Sequence, residues 1–217
     1  MTIIVLAKAP VPGRVKTRLC PPCDLQQASE LARAALVDTL TAVAATPCDQ
    51  RVLVLDGLPG PWLPAGFEVL PQRGDGLDER LACAFDDVVD GGLLLGMDTP
   101  QCTPTRLTAA LHALHAPGVD AVLGPSVDGG WWALGLREPD PALLLGLPMS
   151  TPYTGEAQLA RLHQLRLRTV ALATMRDVDD FDDALAVART APDSRFARTL
   201  RSMLPQFRAP DGALAAR

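Results

Sequence analysis

Short apolar runs alternate with stretches of helical period along almost the whole chain, and this alternation restricts the fold more than any other feature. Ile3–Leu6, Arg51–Leu55, Phe67–Leu70, Leu93–Met97, Ala121–Gly124, Trp131–Leu136 and Leu167–Ala173 read as strands, several of them continuous aliphatic runs that suit burial on both faces. Between them, Asp24 caps a helix with Leu25, Ala28, Leu31, Ala32, Ala35 and Leu36 at helical spacing. Leu77–Val89 places Leu77, Leu81, Ala84, Phe85 and Val88 on one stripe, and Thr103 with Pro104 behind it opens a helix to about His115. Thr154 opens another, Phe181–Thr190 is a further one, and Asp193 caps a last helix to Leu204. Strands alternating with helices predict an α/β fold whose mostly parallel sheet is covered on both faces. No repeat or linker divides the chain, so residues 1–204 are expected to form one domain and 205–217 an irregular tail.

In an open sheet of this kind, ligands bind beyond the carboxyl ends of the strands. The charge of this chain collects in those places. Residues 1–23 hold Lys8, Arg14, Lys16 and Arg18 and no acid, all after the first strand. Gln72 to Asp75 follow the third strand, and the next acidic stretch contains the single base Arg80. Asp98 follows the fourth strand, Asp128 the fifth, and Asp177 and Asp179 the last. A parallel sheet would bring these distant residues to one rim.

The average charge points elsewhere. Twenty Lys and Arg against twenty-five Asp and Glu give −5, which argues against a general nucleic-acid binder. One Tyr and five Phe leave little for base stacking. No run reaches the ~20 apolar residues of a membrane helix. Five cysteines and no export signal predict reduced thiols and a cytoplasmic location, and a small-molecule partner rather than a membrane.

Pro10, Pro12 and Gly13 stiffen and turn the basic loop, and a stiff loop with several cations suits a polyphosphate. It lacks the glycine spacing of a Walker A or Rossmann loop. Asp98, at the end of a buried strand, is a candidate ligand for Mg2+ (or Mn2+), since hard cations take carboxylate and phosphate oxygens together. Asp177 and Asp179, two apart on an extended segment, point the same way and complete the set. A competing metal reading places zinc at Cys20 and Cys23 with His112 and His115, but the cysteine pair has no second Cys-x-x-Cys.

The stretch Ala7-Lys-Ala-Pro-Val-Pro-Gly-Arg-Val-Lys-Thr-Arg-Leu19, the Gly96-Met-Asp-Thr-Pro100 turn, Gly124-Pro-Ser-Val-Asp-Gly-Gly130, Ser150-Thr151 and Asp177-Val-Asp179 run in order through the chain. Together they resemble a bacterial family of GT-A-fold proteins labelled glycosyltransferases, more distantly similar to 2-phospholactate and molybdenum-cofactor guanylyltransferases. The resemblance implies a nucleotide-diphospho-sugar transferase fold, Rossmann-like and three-layered. It further implies that Lys16 and Arg18 hold nucleotide phosphates, that Asp98, Asp177 and Asp179 hold the metal, and that Asp128, Gly129 and Gly130 line the second-substrate pocket. Asp78, the Trp131-Trp132 pair and Met149 depart from the usual pattern of the family.

The expected activity is metal-dependent transfer of a nucleotidyl group from a nucleoside triphosphate to a small phosphorylated acceptor. The alternative is glycosyl transfer from a nucleotide sugar, with Asp128 as general base. A non-catalytic nucleotide-binding domain is the third reading. The expected nucleotide contacts are Lys8, Pro12, Gly13, Lys16, Thr17, Arg18, Gln72 and Arg80, and the expected acceptor contacts are Asp128, Gly129, Gly130, Trp131 and Thr151.

Overall fold

The computed structural model describes residues 1–88 and 90–207. Seven strands form one sheet: β1 (Thr2–Lys8), β2 (Gln50–Asp56), β3 (Glu68–Pro71), β4 (Gly92–Gly96), β5 (Ala121–Pro125), β6 (Trp131–Leu136) and β7 (Thr169–Ala171). Their order is β3-β2-β1-β4-β6-β5-β7. Every pairing is parallel except those of β6, which runs antiparallel to both β4 and β5. The reversal has a local cause. The connection from β5 to β6 is a tight turn, closed by Ser126 N–H donating to the Gly130 carbonyl at 3.0 Å, and so short a link joins only antiparallel strands. Gly129 permits it by adopting φ +90°.

Among the described residues six helices cover the sheet: α1 (Leu25–Ala44), α2 (Leu77–Asp86), α3 (Pro104–His115), α4 (Thr154–Gln164), α5 (Phe181–Thr190) and α6 (Arg195–Met203). Strand alternation sorts the core into two layers. Ile3 and Val5 of β1 pack on Leu36 and Leu40 of α1 and Leu107 and Leu111 of α3. Ile4, Val52 and Leu94 face the other way, onto Leu81 and Phe85 of α2 and Leu162 of α4. A third cluster joins the remaining face of α1, at Ala28, Leu31 and Ala35, to Val187 of α5 and Phe196 and Leu200 of α6. Helix α1 is therefore buried on two sides, which its small Ala-rich surface allows.

Several expectations shift by a residue or more. The helix expected over 77–89 ends at Asp86, and Val89 lies outside the described residues. Leu25 and Leu77, placed on buried stripes by period alone, begin their helices at the rim and are 49% and 40% exposed. The last helix is capped by Ser194, whose hydroxyl accepts from Ala197 N–H at 3.0 Å, rather than by Asp193. Part of the tail expected from residue 205 lies within the described residues. Leu204–Phe207 form a 3-10 turn, and Phe207 is buried edge-on to Phe181, ring centres 5.5 Å apart. The rest of that tail, 208–217, lies outside the described residues. Among the described residues no helix is long and apolar enough to cross a membrane.

Candidate active site

The loop leaving β1 is built to present cations and N–H groups. Gly13 turns it at φ +77°, and Lys16 takes the left-handed conformation (φ 47°, ψ 37°) before a 3-10 turn over Thr17–Leu19. Among the described residues the backbone N–H groups of Val15, Lys16, Thr17 and Arg18 make no hydrogen bond. Successive free N–H groups at such a turn form a concavity suited to anions. Buried Val15 and Leu19 fasten the loop to the core beneath.

Across from it stand the carboxylates. Asp98 leaves β4, and the segment after β7 is tied to it by Val178 N–H donating to the Asp98 carbonyl at 3.0 Å. Val178 is buried, so its neighbours Asp177 and Asp179 both turn toward the cleft, as their spacing of two predicts. Lys16 Nζ lies 2.7 Å from Asp98 Oδ2, with the two side chains 13% and 28% exposed. Arg18 pairs with Asp179. Asp177 accepts from Ser126 Oγ at 2.8 Å. Burial, and then the neighbouring Asp98 carboxylate, push the Asp177 carboxyl up to about 6. Burial on its own would lower the Lys16 ammonium, but Asp98, with Asp179 and Asp177 behind it, outweighs burial and holds it above its ordinary value.

At the β3 side, Gln72 lines the cleft and is held there by its Nε2 donating to the carbonyls of Ala7 (2.7 Å) and Val54 (3.3 Å). Arg80 donates from Nε to the Gly74 carbonyl at 3.1 Å and shapes the loop above α2. At the β6 side, Gly155 N–H donates to the Gly129 carbonyl at 2.8 Å, locking the Gly-Gly turn against the start of α4. A Cβ on Gly129 would run into the Pro152 carbonyl. Asp128 Oδ1 accepts from Gly130 N–H at 2.9 Å, leaving its second oxygen free.

These pieces enclose one cleft of about 830 Å³ at the carboxyl ends of the strands. Lys8, Lys16, Thr17, Arg18, Gln72, Arg80, Asp98, Asp128, Gly130, Trp131, Thr151, Asp177 and Asp179 line it. Pro12, Gly13 and Gly129 do not, and they act on the backbone path instead. Arg14, Asp75, Met149 and Ser150, noted in the sequence but not among the expected contacts, also line it, and so does an apolar wall of Leu6, Leu77, Leu81 and Leu94 that sequence reasoning passed over. Arg14 was legible as part of the basic loop, and Ser150 sits beside Thr151. The wall was not, because these leucines look like ordinary core.

A divalent cation suits this site on chemical grounds. Three carboxylates converge around one ammonium, which already marks a position where positive charge is held. Among the described residues no three His, Cys, Asp or Glu side chains stand close enough together to hold a metal ion, so Asp98, Asp177 and Asp179 are not gathered into the three-carboxylate set that the sequence suggested. That holds equally for Cys20 and Cys23, which like the other three cysteines are free thiols.

The sheet order, the reversed β6 and the charged rim cleft define the nucleotide-diphospho-sugar transferase fold. A chain described as "putative nucleotide-diphospho-sugar transferase" from Desulfovibrio desulfuricans superposes with TM-score 0.82 at 26% identity, over 94% of this chain and 95% of that one. The 2-C-methyl-D-erythritol 4-phosphate cytidylyltransferase of Thermus thermophilus shares the fold at TM-score 0.56 and 16% identity, over 88% of this chain and 100% of its own. Rv0371c of Mycobacterium tuberculosis, solved as a complex with manganese, does so at TM-score 0.51 and 21% identity, over 87% and 97%. The chain itself belongs to the family described as "Uncharacterized protein conserved in bacteria (DUF2064)", which matches residues 28–151. No curated protein matches it.

Proposed function

We propose that this protein is a metal-dependent transferase that moves a nucleotidyl group from a nucleoside triphosphate to a small phosphorylated acceptor. The observation that carries this reading is the facing of a cationic, N–H-rich loop and three aspartates across one cleft. A volume of about 830 Å³ accommodates a nucleotide together with a small second substrate. The fold relatives named above include a cytidylyltransferase and a manganese complex, in keeping with this reading.

In this reading the free N–H groups of residues 15–18 and the side chains of Lys16 and Arg18 receive the β- and γ-phosphates. Their positive charge offsets the charge that grows on departing pyrophosphate, which is where fixed donors act most strongly. Asp98, Asp177 and Asp179 would hold Mg2+ or Mn2+, which when bound supplies charge neutralisation at the phosphates. The acceptor phosphate oxygen attacks the α-phosphorus and the bond to pyrophosphate breaks. Lys8, which makes no ion pair among the described residues, is free to hold that acceptor. Positioning dominates, because an acceptor phosphate is already deprotonated and needs no base. One observation favours the second reading, glycosyl transfer. The free oxygen of Asp128 stands in the cleft where a hydroxyl acceptor would need a general base.

Thermal denaturation with Mg2+ and each nucleoside triphosphate or nucleotide sugar, followed by assay for released pyrophosphate, separates the two. Stabilisation by at least one triphosphate is expected, and loss of that stabilisation in Asp98→Ala. Stabilisation by nucleotide sugars and by no triphosphate would sink nucleotidyl transfer. Metal-independent binding with no product released would leave only a binding domain.

A further inference from the structure

We propose that Lys16 is an internal counter-ion standing where the divalent cation belongs, so that cation and polyphosphate bind as a mutually dependent pair. This rests on reading the cleft as a site for a polyphosphate and a divalent cation. The loop read as gripping phosphate and the carboxylates read as gripping metal are paired with each other. Lys16 Nζ is 2.7 Å from Asp98 Oδ2, and Arg18 is paired with Asp179. The left-handed backbone at Lys16 aims this side chain inward, and it is only 13% exposed.

Each ligand arriving alone breaks a pair and leaves a charge stranded. A polyphosphate that draws Lys16 away leaves Asp98 beside Asp177 with no cation between them, in a site where unpaired charge is costly. A cation that takes Asp98 leaves the largely buried ammonium beside a like charge. When both arrive, Lys16 passes from Asp98 to phosphate and the cation replaces it, so every charge keeps an opposite partner. Arg18 contributes less, because its side chain is 69% exposed and such pairs are weak.

The test uses Mn2+ alone, inorganic triphosphate alone and the two together, with Mn2+ read by loss of the free-ion EPR signal and triphosphate by calorimetry. In the parent protein Mn2+ alone and triphosphate alone should each bind weakly, and the mixed titration is corrected for the complex that the two form in solution. Lys16→Met should bind Mn2+ alone about tenfold more tightly than the parent. Asp98→Asn, which releases Lys16, should bind triphosphate without metal about tenfold more tightly. Either variant suffices if the other does not fold, as checked by circular dichroism. No tightening of the single ligand in a folded variant overturns the proposal. If no nucleotide binds while the two variants tighten Mn2+ and triphosphate as stated, the transferase reading fails and the role of Lys16 stands.

Discussion

Individual positions in this molecule divide into those that touch the cleft and those that hold its walls in place. Gly129 belongs to the second kind. Its φ of +90° is rarely open to residues with a side chain, and a Cβ there would meet the Pro152 carbonyl of the segment that carries Thr151. Gly129→Ala should therefore cost about 2–3 kcal/mol, read as a lower urea midpoint, and should weaken acceptor binding more than nucleotide binding. An unchanged midpoint would show that the turn relaxes freely. The residue scale is also where the sequence was most and least informative. Asp98 stood out because charge at the end of a buried strand is unusual, and Asp177 and Asp179 because a spacing of two on an extended segment aims both the same way. That Lys16 would spend its charge on Asp98 was not legible, because the two are 82 residues apart and meet only through the loop conformation.

Helices and strands differ in how far local signals determine them. Helix α3 begins at Pro104 behind a Thr103 cap, and α5 spans Phe181–Thr190 behind Asp180, both where the sequence put them, because caps act within a single turn. Strand order depends on partners far away, so the insertion of β6 between β4 and β5 had no local signature beyond the Gly-Gly turn. Strand β7 has three residues, fewer than the run read from the sequence, and Arg168 just before it is fastened to Asp120 at the start of β5. The Asp120 carboxylate accepts from the Arg168 backbone N–H, Nε and Nη2, all at 2.8 Å, and these bonds hold its carboxyl far below the usual carboxylate range. A lowered carboxyl contributes stability that is present above its unfolded pKa, near 4, and lost as pH falls toward the folded value. Asp120→Asn should therefore be less stable than the parent at pH 7, with the gap narrowing below about pH 4. Urea titrations at pH 7 and pH 3 check this, and an equal gap at both values would remove the pair from the account of β7.

Taken whole, the chain is acidic at −5, yet it carries a cleft suited to a polyanion, because four of its bases crowd one loop and a divalent cation would reverse the sign of the carboxylates facing them. Binding there should have a definite spatial signature. The cleft takes residues from both halves of the sheet, the β1–β3 side through Lys16 and Gln72 and the β5–β6 side through Asp128 and Trp131, with Asp98 and Asp177 between them. A ligand that spans it restrains loops distant in sequence at once, while the opposite strand ends, at Thr2, Gln50, Gly92 and Ala121, feel no contact. Amide hydrogen exchange with a bound triphosphate and Mn2+ should therefore slow together in residues 13–19, 72–80, 126–131 and 176–179, and remain unchanged at those four strand starts. Loops whose N–H groups have no partner among the described residues, residues 15–18 foremost, should show the largest slowing, since they gain acceptors outright. Slowing confined to the β1–β3 side would mean that nucleotide alone occupies the cleft and that the β5–β6 side waits for the acceptor, which adding a phosphorylated acceptor would then complete. Slowing at the strand starts instead would place the ligand at the wrong end of the sheet and remove the basis for the whole assignment.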